Sequence, residues 1–453
     1  MILPSIAAAK LVFQISKISN LGAGGTWPGE IALRIDPKIL SYLARQLKQS
    51  VLIAGTNGKT TTAKMVEHVL SNNPDTPSRS PSGHLEGVRI VHNASGANLL
   101  NGITSALIQS TNFIGKIQAG IGVFEVDEAS LPLALAEFTP TIVVLLDLFR
   151  DQLDRYGEVD SIAERWLQAL KKLPSSTTVI INADDPHLAF IGSQLQAKVL
   201  YFGIGDQKSF LPTTPHAVDT IYCPKCGKRL VFDGHYLSHL GEWKCTSCKL
   251  SHPKNDIQKS DIVSPLPGLY NSYNTMAATL VLRPIGRDKT NMANALKKFT
   301  PAFGRQEEFK IDGKNVKIFL SKNPAGFNAS LQTVIELGAE QILIVLNDRI
   351  PDGRDVSWIW DVDFEMIPFY ANVIVSGDRV YDMALRLKYA RENLGRHNGI
   401  VSQPLTPLII KENLKEAVYL GVSVFSKDKT LYILPTYSGM LEVRKILSGR
   451  KIL

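Results

Sequence analysis

Apolar residues along the chain fall into two rhythms, short uninterrupted runs and longer stretches at helical spacing. From residue 50, SVLIAG is a buried run, GTNGKT is turn-rich, and TTAKMVEHVL carries apolar residues on one helical face. Strand, loop and helix in that order predict the opening of an α/β domain. IGVFEVD, TIVVLLD and TTVIINADD are further strand-length runs, each ending in an acidic residue, with the helical stretch SIAERWLQALKKL between the last two. Ligand-binding groups belong at such carboxyl ends of parallel strands. The stretch NNPDTPSRSPSGHLEG (72–87) is rich in Pro, Ser and Gly and predicts a surface loop without chemistry.

Further on, GLYNSYNTMAATLVLRPIG predicts a loop feeding a helix, and TPAFGRQEEF marks a domain boundary. A second α/β domain is expected beyond it, with strands at VKIFLS, QILIVLND, ANVIVSGD and TLYILPTY. The opening MILPSIAAAKLVFQISKIS predicts an amphipathic helix, because Lys10 and Lys17 interrupt its apolar stretch and no cleavage pattern follows. No run approaches the ~18 apolar residues of a membrane span, so a soluble protein is expected. The divisions are an N-terminal helical segment (1–48), a central domain (49–300) and a C-terminal domain (301–453).

Composition adds exclusions. At 453 residues, 44% hydrophobic and 20% charged, the chain is neither disordered nor a small stapled fold. A formal net charge of +8 fits an anionic partner but, spread over this length, selects none. The four cysteines form two close couples, which points to metal ligation in a reducing compartment.

The phosphate signal is Gly55-Thr56-Asn57-Gly58-Lys59-Thr60, followed by Thr61. Small residues let backbone N–H groups approach a phosphate, Lys59 supplies a charge, and Thr60 offers a hydroxyl to Mg²⁺. The usual first glycine is replaced by Ile53, so the strand before and the helix after carry the assignment. Magnesium needs hard oxygen ligands, and Glu125 and Asp127 stand at a predicted strand end. One of them is expected to face the metal.

Cys223-x2-Cys226 and Cys245-x2-Cys248, eighteen residues apart, have the spacing of two zinc knuckles. Four thiolates leave no open position, so a structural Zn²⁺ is expected in a ribbon inserted at about 220–253. A redox dithiol is the first alternative. A nucleic-acid-binding ribbon is the second, since KCGKRL and WKCTSCKLSHPK are basic, with Tyr222 and Trp243 nearby.

GTNGKTTT, the Glu125 segment, FRDQLDRYGE (149–158), NADDP (182–186) and the Asn271/Asn274 segment resemble, in that order, the Mur ligases. The four cysteines, Asn347-Asp348 and DGRDVSWIWDVDF (352–364) narrow the resemblance to the MurT family, Mur-ligase-like subunits of lipid II isoglutaminyl synthase. The resemblance implies a P-loop Mur-type central domain followed by a smaller Rossmann-like α/β domain. It implies ATP-dependent amidation of the D-glutamate α-carboxyl of lipid II through an acyl phosphate. Ammonia would come from a glutaminase partner of the GatD type, with ATP and Mg²⁺ as cofactors and no nucleic acid. The location implied is the cytoplasm, at the inner membrane face where lipid II is presented.

Carried over by position, Gly55 to Thr61 and Lys59 in particular would hold the ATP phosphates. Thr60 and Glu125 would hold Mg²⁺, Asn274 and more weakly Asn271 would lie by the nucleotide, and Arg305 would neutralise phosphate charge as the domains close. Asp355 would complete a Cys-His-Asp triad whose other members belong to the partner. By the residues alone, DGRDVSW reads as a turn, and Asp352 is a rival for the role. Two departures from the family patterns stand out: Asp151-Gln152-Leu153-Asp154 where Mur ligases tend to have a histidine second, and Asp147 where Asn is the commoner residue. A stand-alone carboxylate–amine ligase and a nucleic-acid-binding ATPase are the competing functions.

Overall fold

Continuous apolar strands need cover on both faces, and the computed structural model provides it. It describes residues 2–18, 25–71, 89–93, 97–151, 158–216, 218–301, 304–397, 406–423 and 429–449. The 72–87 segment and Gln152 to Asp154 lie outside the described residues.

Three helices lead in, α1 (Ile2–Ile18), α2 (Trp27–Ile35) and α3 (Ile39–Ala44). Ile6, Ala9, Ala32 and Leu43 are buried in the core of the central domain, so these helices cover its sheet. Strand β1 (Gln49–Ala54) runs into the phosphate loop and α4 (Lys59–Ser71). After β2 (Ile90–His92) come α5 (Leu100–Gln109), β3 (Ile121–Val126), α6 (Leu131–Glu137), β4 (Ile142–Leu145), α7 (Val159–Leu170), β5 (Thr178–Asn182), α8 (Pro186–Ser193) and β6 (Lys198–Gly203). The cysteine segment follows, with a hairpin of β7 (Val231–Leu237) and β8 (Leu240–Lys244); then β9 (Ile257–Gln258), α9 (Leu269–Leu282) and α10 (Lys289–Leu296) close the domain.

The parallel sheet has the order β2-β3-β1-β4-β5-β6-β9. β1 sits where successive connections leave to opposite sides, the crevice that binds ligands in open α/β sheets. The hairpin lies between β6 and β9 as an insertion in that order.

The second domain holds β10 (Arg305–Ile311), β11 (Lys314–Phe319), α11 (Pro324–Glu336), β12 (Gln341–Val345), β13 (Asn372–Ser376), α12 (Val380–His397), β14 (Leu408–Ile410), α13 (Leu414–Ser423), β15 (Thr430–Pro435) and α14 (Tyr437–Ser448). Its sheet runs β10-β11-β15-β12-β13-β14, parallel except for the β10–β11 hairpin. The four strands expected here are present. The RQEEF stretch, read as a boundary, is itself the edge strand β10. Among the described residues no helix is long and apolar enough to cross a membrane.

Candidate active site

The loop after β1 needs glycine at two points. Gly58 has φ +83°, and a Cβ there would lie 2.2 Å from Asn274 Oδ1; at Gly55, φ is +146° and a Cβ would meet Leu146 Cβ at 2.8 Å. Any side chain would push the loop off the segment behind it. That segment fixes the loop through Thr56, whose hydroxyl donates to Phe149 O and accepts from Phe149 N at 3.0 Å.

Lys59 opens α4 and is buried. Its Nζ donates to Gly55 O, and to Thr56 O and Glu128 Oε2 at 3.3 Å each. Thr60 Oγ1 donates to Glu125 Oε2 at 2.7 Å. The other oxygen, Glu125 Oε1, is buried with no hydrogen-bond partner, with His92 Nε2 at 3.6 Å. A fully buried, half-satisfied carboxylate beside a threonine hydroxyl is a donor set suited to Mg²⁺. Of the two candidate carboxylates it is therefore Glu125 that faces the loop. Asp127 Oδ1 instead accepts from Ala129 N at 3.1 Å in the turn before α6. Burial disfavours protonation of His92, but the carboxylates of Glu125 and Glu67 outweigh it and raise the imidazole to about 9.

Asp147 has a defined place. Its Oδ1 accepts from Asn57 N at 2.8 Å and its carbonyl accepts from Thr56 N at 3.1 Å, so it backs the phosphate loop. Burial pushes its carboxyl up to about 7, against the opposing pull of the Asn57 N–H and Lys59. On α9, Asn274 Nδ2 donates to Asn271 Oδ1 and its Oδ1 accepts from Thr62 Oγ1, both at 3.2 Å. The cleft they border has a polar side at Asn57, Gly58, Thr61 and Arg305 and an apolar side at Phe149, Leu237, Leu240 and Leu266, the mixed lining of a small-molecule site.

Arg305 enters from the first residue of β10. The strand register shifts between Arg305 and Glu307, and Gln306 sits in a left-handed conformation at φ +60°. Gln306 Nε2 bonds Pro267 O at 2.9 Å and Tyr270 OH at 2.5 Å, holding that bulge in place. Among the described residues the Arg305 guanidinium makes no hydrogen bond or ion pair. Burial lowers its pKa, and Glu125 is the main charge opposing that.

Sequence reasoning missed how the second domain docks. Asn323 caps α11 by accepting from Gly326 N at 2.7 Å, and its Nδ2 reaches Asn57 Oδ1 of the phosphate loop at 3.3 Å. Lys322 pairs with Asp151. Arg150 pairs with Asp219 and, at 3.2 Å, with Asp361, while His216 N donates to Asp363 Oδ1 at 3.1 Å. The only sequence signal was Asn323-Pro324 ahead of an apolar helix, a start signature.

A second cleft opens between the domains, lined by Arg150, Asp151, Lys322, Asn323, Asp355 and Trp358 among others. Asp355 is exposed, and Ser357 donates to it from N at 2.8 Å and from Oγ at 3.0 Å. Those two bonds hold its carboxyl below the usual carboxylate range. Its rival Asp352 is buried, accepting from Ser438 N at 2.8 Å and from Ser438 Oγ at the start of α14. Asp352 is thus occupied in the fold.

The cysteines converge. Cys223 Sγ lies 3.5 Å from Cys248 Sγ and Cys226 Sγ 3.6 Å from Cys245 Sγ, all four within 4.8 Å of one another. Thiolates ~2.3 Å from a tetrahedral zinc stand about 3.8 Å apart, so the donor set fits the ion. Each knuckle turns through a left-handed residue four places after its first cysteine, Gly227 and Lys249.

Similarity to known proteins agrees with this architecture. The Mur ligase middle domain model matches residues 53–282, and the MurT ligase C-terminal model matches 320–440. The MurT subunit of lipid II isoglutaminyl synthase (glutamine-hydrolyzing) from Staphylococcus aureus strain COL is 35% identical over 404 residues, covering 85% of this chain and 87% of the relative. The Streptococcus pneumoniae R6 subunit of that name is 30% identical, covering 96% and 95%. Among solved structures, a pseudomurein peptide ligase type C from Methanothermus fervidus superposes with a TM-score of 0.61 at 20% identity, covering 89% of this chain and 79% of that one. With both halves matched and the relatives spanned nearly end to end, the chain belongs to the MurT family of Mur-ligase-like proteins.

Proposed function

We propose that the protein is the synthetase subunit of a lipid II isoglutaminyl synthase. It transfers the γ-phosphoryl group of ATP to the α-carboxylate of D-glutamate in the lipid II stem peptide, releasing ADP. Ammonia then attacks the acyl carbon and inorganic phosphate leaves, giving D-isoglutamine. Activation is needed because a bare carboxylate is a poor electrophile. The ammonia comes from glutamine, hydrolysed by a GatD-type glutaminase that binds as a separate subunit. The reaction takes place in the cytoplasm, at the membrane face where the lipid-linked acceptor lies.

Each residue has a part. The loop from Gly55 to Thr61 holds the phosphates, with Lys59 as its charge; Thr60 and Glu125 hold Mg²⁺; Asn271 and Asn274 border the nucleotide. When bound, Mg²⁺ neutralises phosphate charge and orients the transferred group. Arg305, whose guanidinium has no hydrogen-bond or ion-pair partner among the described residues, would meet charge that develops during transfer. Cys223, Cys226, Cys245 and Cys248 hold a structural Zn²⁺. Asp355 orients the histidine of the partner's cysteine–histidine pair and stabilises its imidazolium form.

The observation that carries this reading is the cleft shared by Asp355, Asp151 and Lys322. There an exposed carboxylate, oriented by Ser357, stands on the same opening as residues adjoining the phosphate site. Mass spectrometry of lipid II after incubation with the protein, ATP, Mg²⁺ and ammonium tests it. The expected result is the small mass loss of hydroxyl exchanged for amine on the glutamate, with glutamine replacing ammonium once the glutaminase is added. An unchanged mass with every nitrogen source, while ATP is consumed, would point to a stand-alone carboxylate–amine ligase.

A further inference from the structure

The cysteine module reaches the nucleotide cleft. Its hairpin carries Cys245 directly after β8, while the opposite end, the turn between Leu237 and Leu240, lies about 17 Å away at the rise of an extended strand. That turn is deeply buried: Ser238, His239 and Leu240 are 2%, 0% and 1% exposed. Leu237 and Leu240 line the apolar side of the cleft with Phe149 and Tyr273. The His239 ring packs 4.8 Å from that of Phe149, and its Nε2 lies 3.4 Å from Asp185 Oδ2.

A second connection runs from the far side of the same knuckle. His252 follows Cys248, its Nε2 lies 2.8 Å from Asp184 Oδ1, and Asp184 Oδ2 accepts from Tyr273 OH at 2.6 Å. Trp243 Nε1 donates to Ala183 O at 3.2 Å and Gly241 N to Asp184 O at 3.1 Å, so β8 is stitched to the end of β5. The module has little core of its own, chiefly Leu230, Trp243 and two cysteines around Ala189. A two-stranded hairpin is marginal alone, and Ser238 sits in a left-handed conformation at φ +52° that its surroundings must enforce. The cross-link at the cysteines is what such a hairpin lacks.

We propose that the metal-bound cysteine module is a wall of the nucleotide site: Leu237 and Leu240 form the apolar face against which the base packs, and zinc holds that face in place. Metal occupancy and nucleotide affinity are therefore coupled, and the coupling is reciprocal. This rests on the reading of the first cleft as the ATP site.

The test uses the full chain, a fluorescent ATP analogue for binding and a chromogenic chelator for zinc release. Leu240→Ala, with zinc content unchanged, should bind the analogue about tenfold more weakly, the scale of a lost apolar contact in a pocket. Leu237→Ala serves if Leu240→Ala does not fold. In the unsubstituted protein, saturating ATP should slow zinc release. Affinity equal to that of the unsubstituted chain in the folded, zinc-loaded variant would overturn the wall, and zinc release indifferent to ATP would overturn the coupling. Undiminished analogue binding by Lys59→Ala would instead show that the cleft is not the ATP site, and the inference would fall with that reading.

Discussion

The two domains share one architecture and use the ends of their strands in opposite ways. In the central domain, the carboxyl ends of β1, β3 and β4 gather Lys59, Glu125, Glu128 and Asp147 around the phosphate loop, and Glu125 Oε1 is left without a partner among the described residues. In the second domain the charged and amide side chains that follow the strands are paired with one another. Asp348 pairs with Arg379 at 3.2 Å, Asp378 with Arg349 at 2.8 Å, and Asn347 bonds Ser438 and Asp378 N. Groups left unsatisfied at strand ends are available for a ligand, whereas groups spent on each other staple loops. The second domain therefore docks on the phosphate loop through Asn323 and leaves Asp355 exposed, and it carries no such half-satisfied carboxylate at its strand ends among the described residues.

The comparison breaks if a residue of the central cleft proves dispensable. Lys59→Ala should lower amidation at least about a hundredfold with ammonium and glutamine alike, the scale of losing one preorganised charge at a transferring group; steady-state rates with each nitrogen source check it. Cys226→Ser should release zinc and lower the melting temperature by several degrees, and unchanged zinc content would refute the metal site.

On the stapled side, Asp352→Ala should destabilise the fold by about 1–3 kcal/mol, because it leaves the Ser438 N–H and hydroxyl without their buried acceptor. Denaturant melts measure this, and a neutral result would return Asp352 to candidacy beside Asp355.

The smallest effect sharpens the description of Asp147. Its carboxyl is raised in the folded chain to about 7, so the folded state holds its proton where the unfolded chain, near the ordinary aspartate value of 3.8, has lost it. Its contribution to stability is full below the unfolded value and is lost progressively as pH rises towards 7. Asp147→Asn keeps an acceptor for Asn57 N and removes the titration. It should flatten the fall in stability between about pH 4 and 7 and bind nucleotide a few-fold better above pH 7, where the ionised carboxylate repels phosphate.

Much of this was legible beforehand, and the gaps have physical causes. The buried strands announce themselves as unbroken apolar runs, and GTNGKT stands out because close backbone approach needs small residues. β10 was missed because an edge strand buries little: RQEEFKI opens with four polar residues and mimics a linker. Lys322 and Asn323 are ordinary loop residues whose partners, Asp151 and Asn57, lie far back along the chain, and no local spacing encodes that. Leu237 and Leu240 looked like part of a ribbon because their contact with Phe149 and Tyr273 is tertiary. Asp355 stood out only through the family resemblance. Its local structure is indeed the turn that DGRDVSW predicts, and exposure, not pattern, separates it from Asp352.

The division of labour between the domains is tested most directly by one variant in the assembled complex. Asp355→Asn should reduce glutamine-driven amidation of lipid II by about a thousandfold or more, as loss of a triad carboxylate does, while amidation from added ammonium stays within about twofold of the unsubstituted complex. Equal loss with both nitrogen sources would place Asp355 in the ligase chemistry itself and contradict the account.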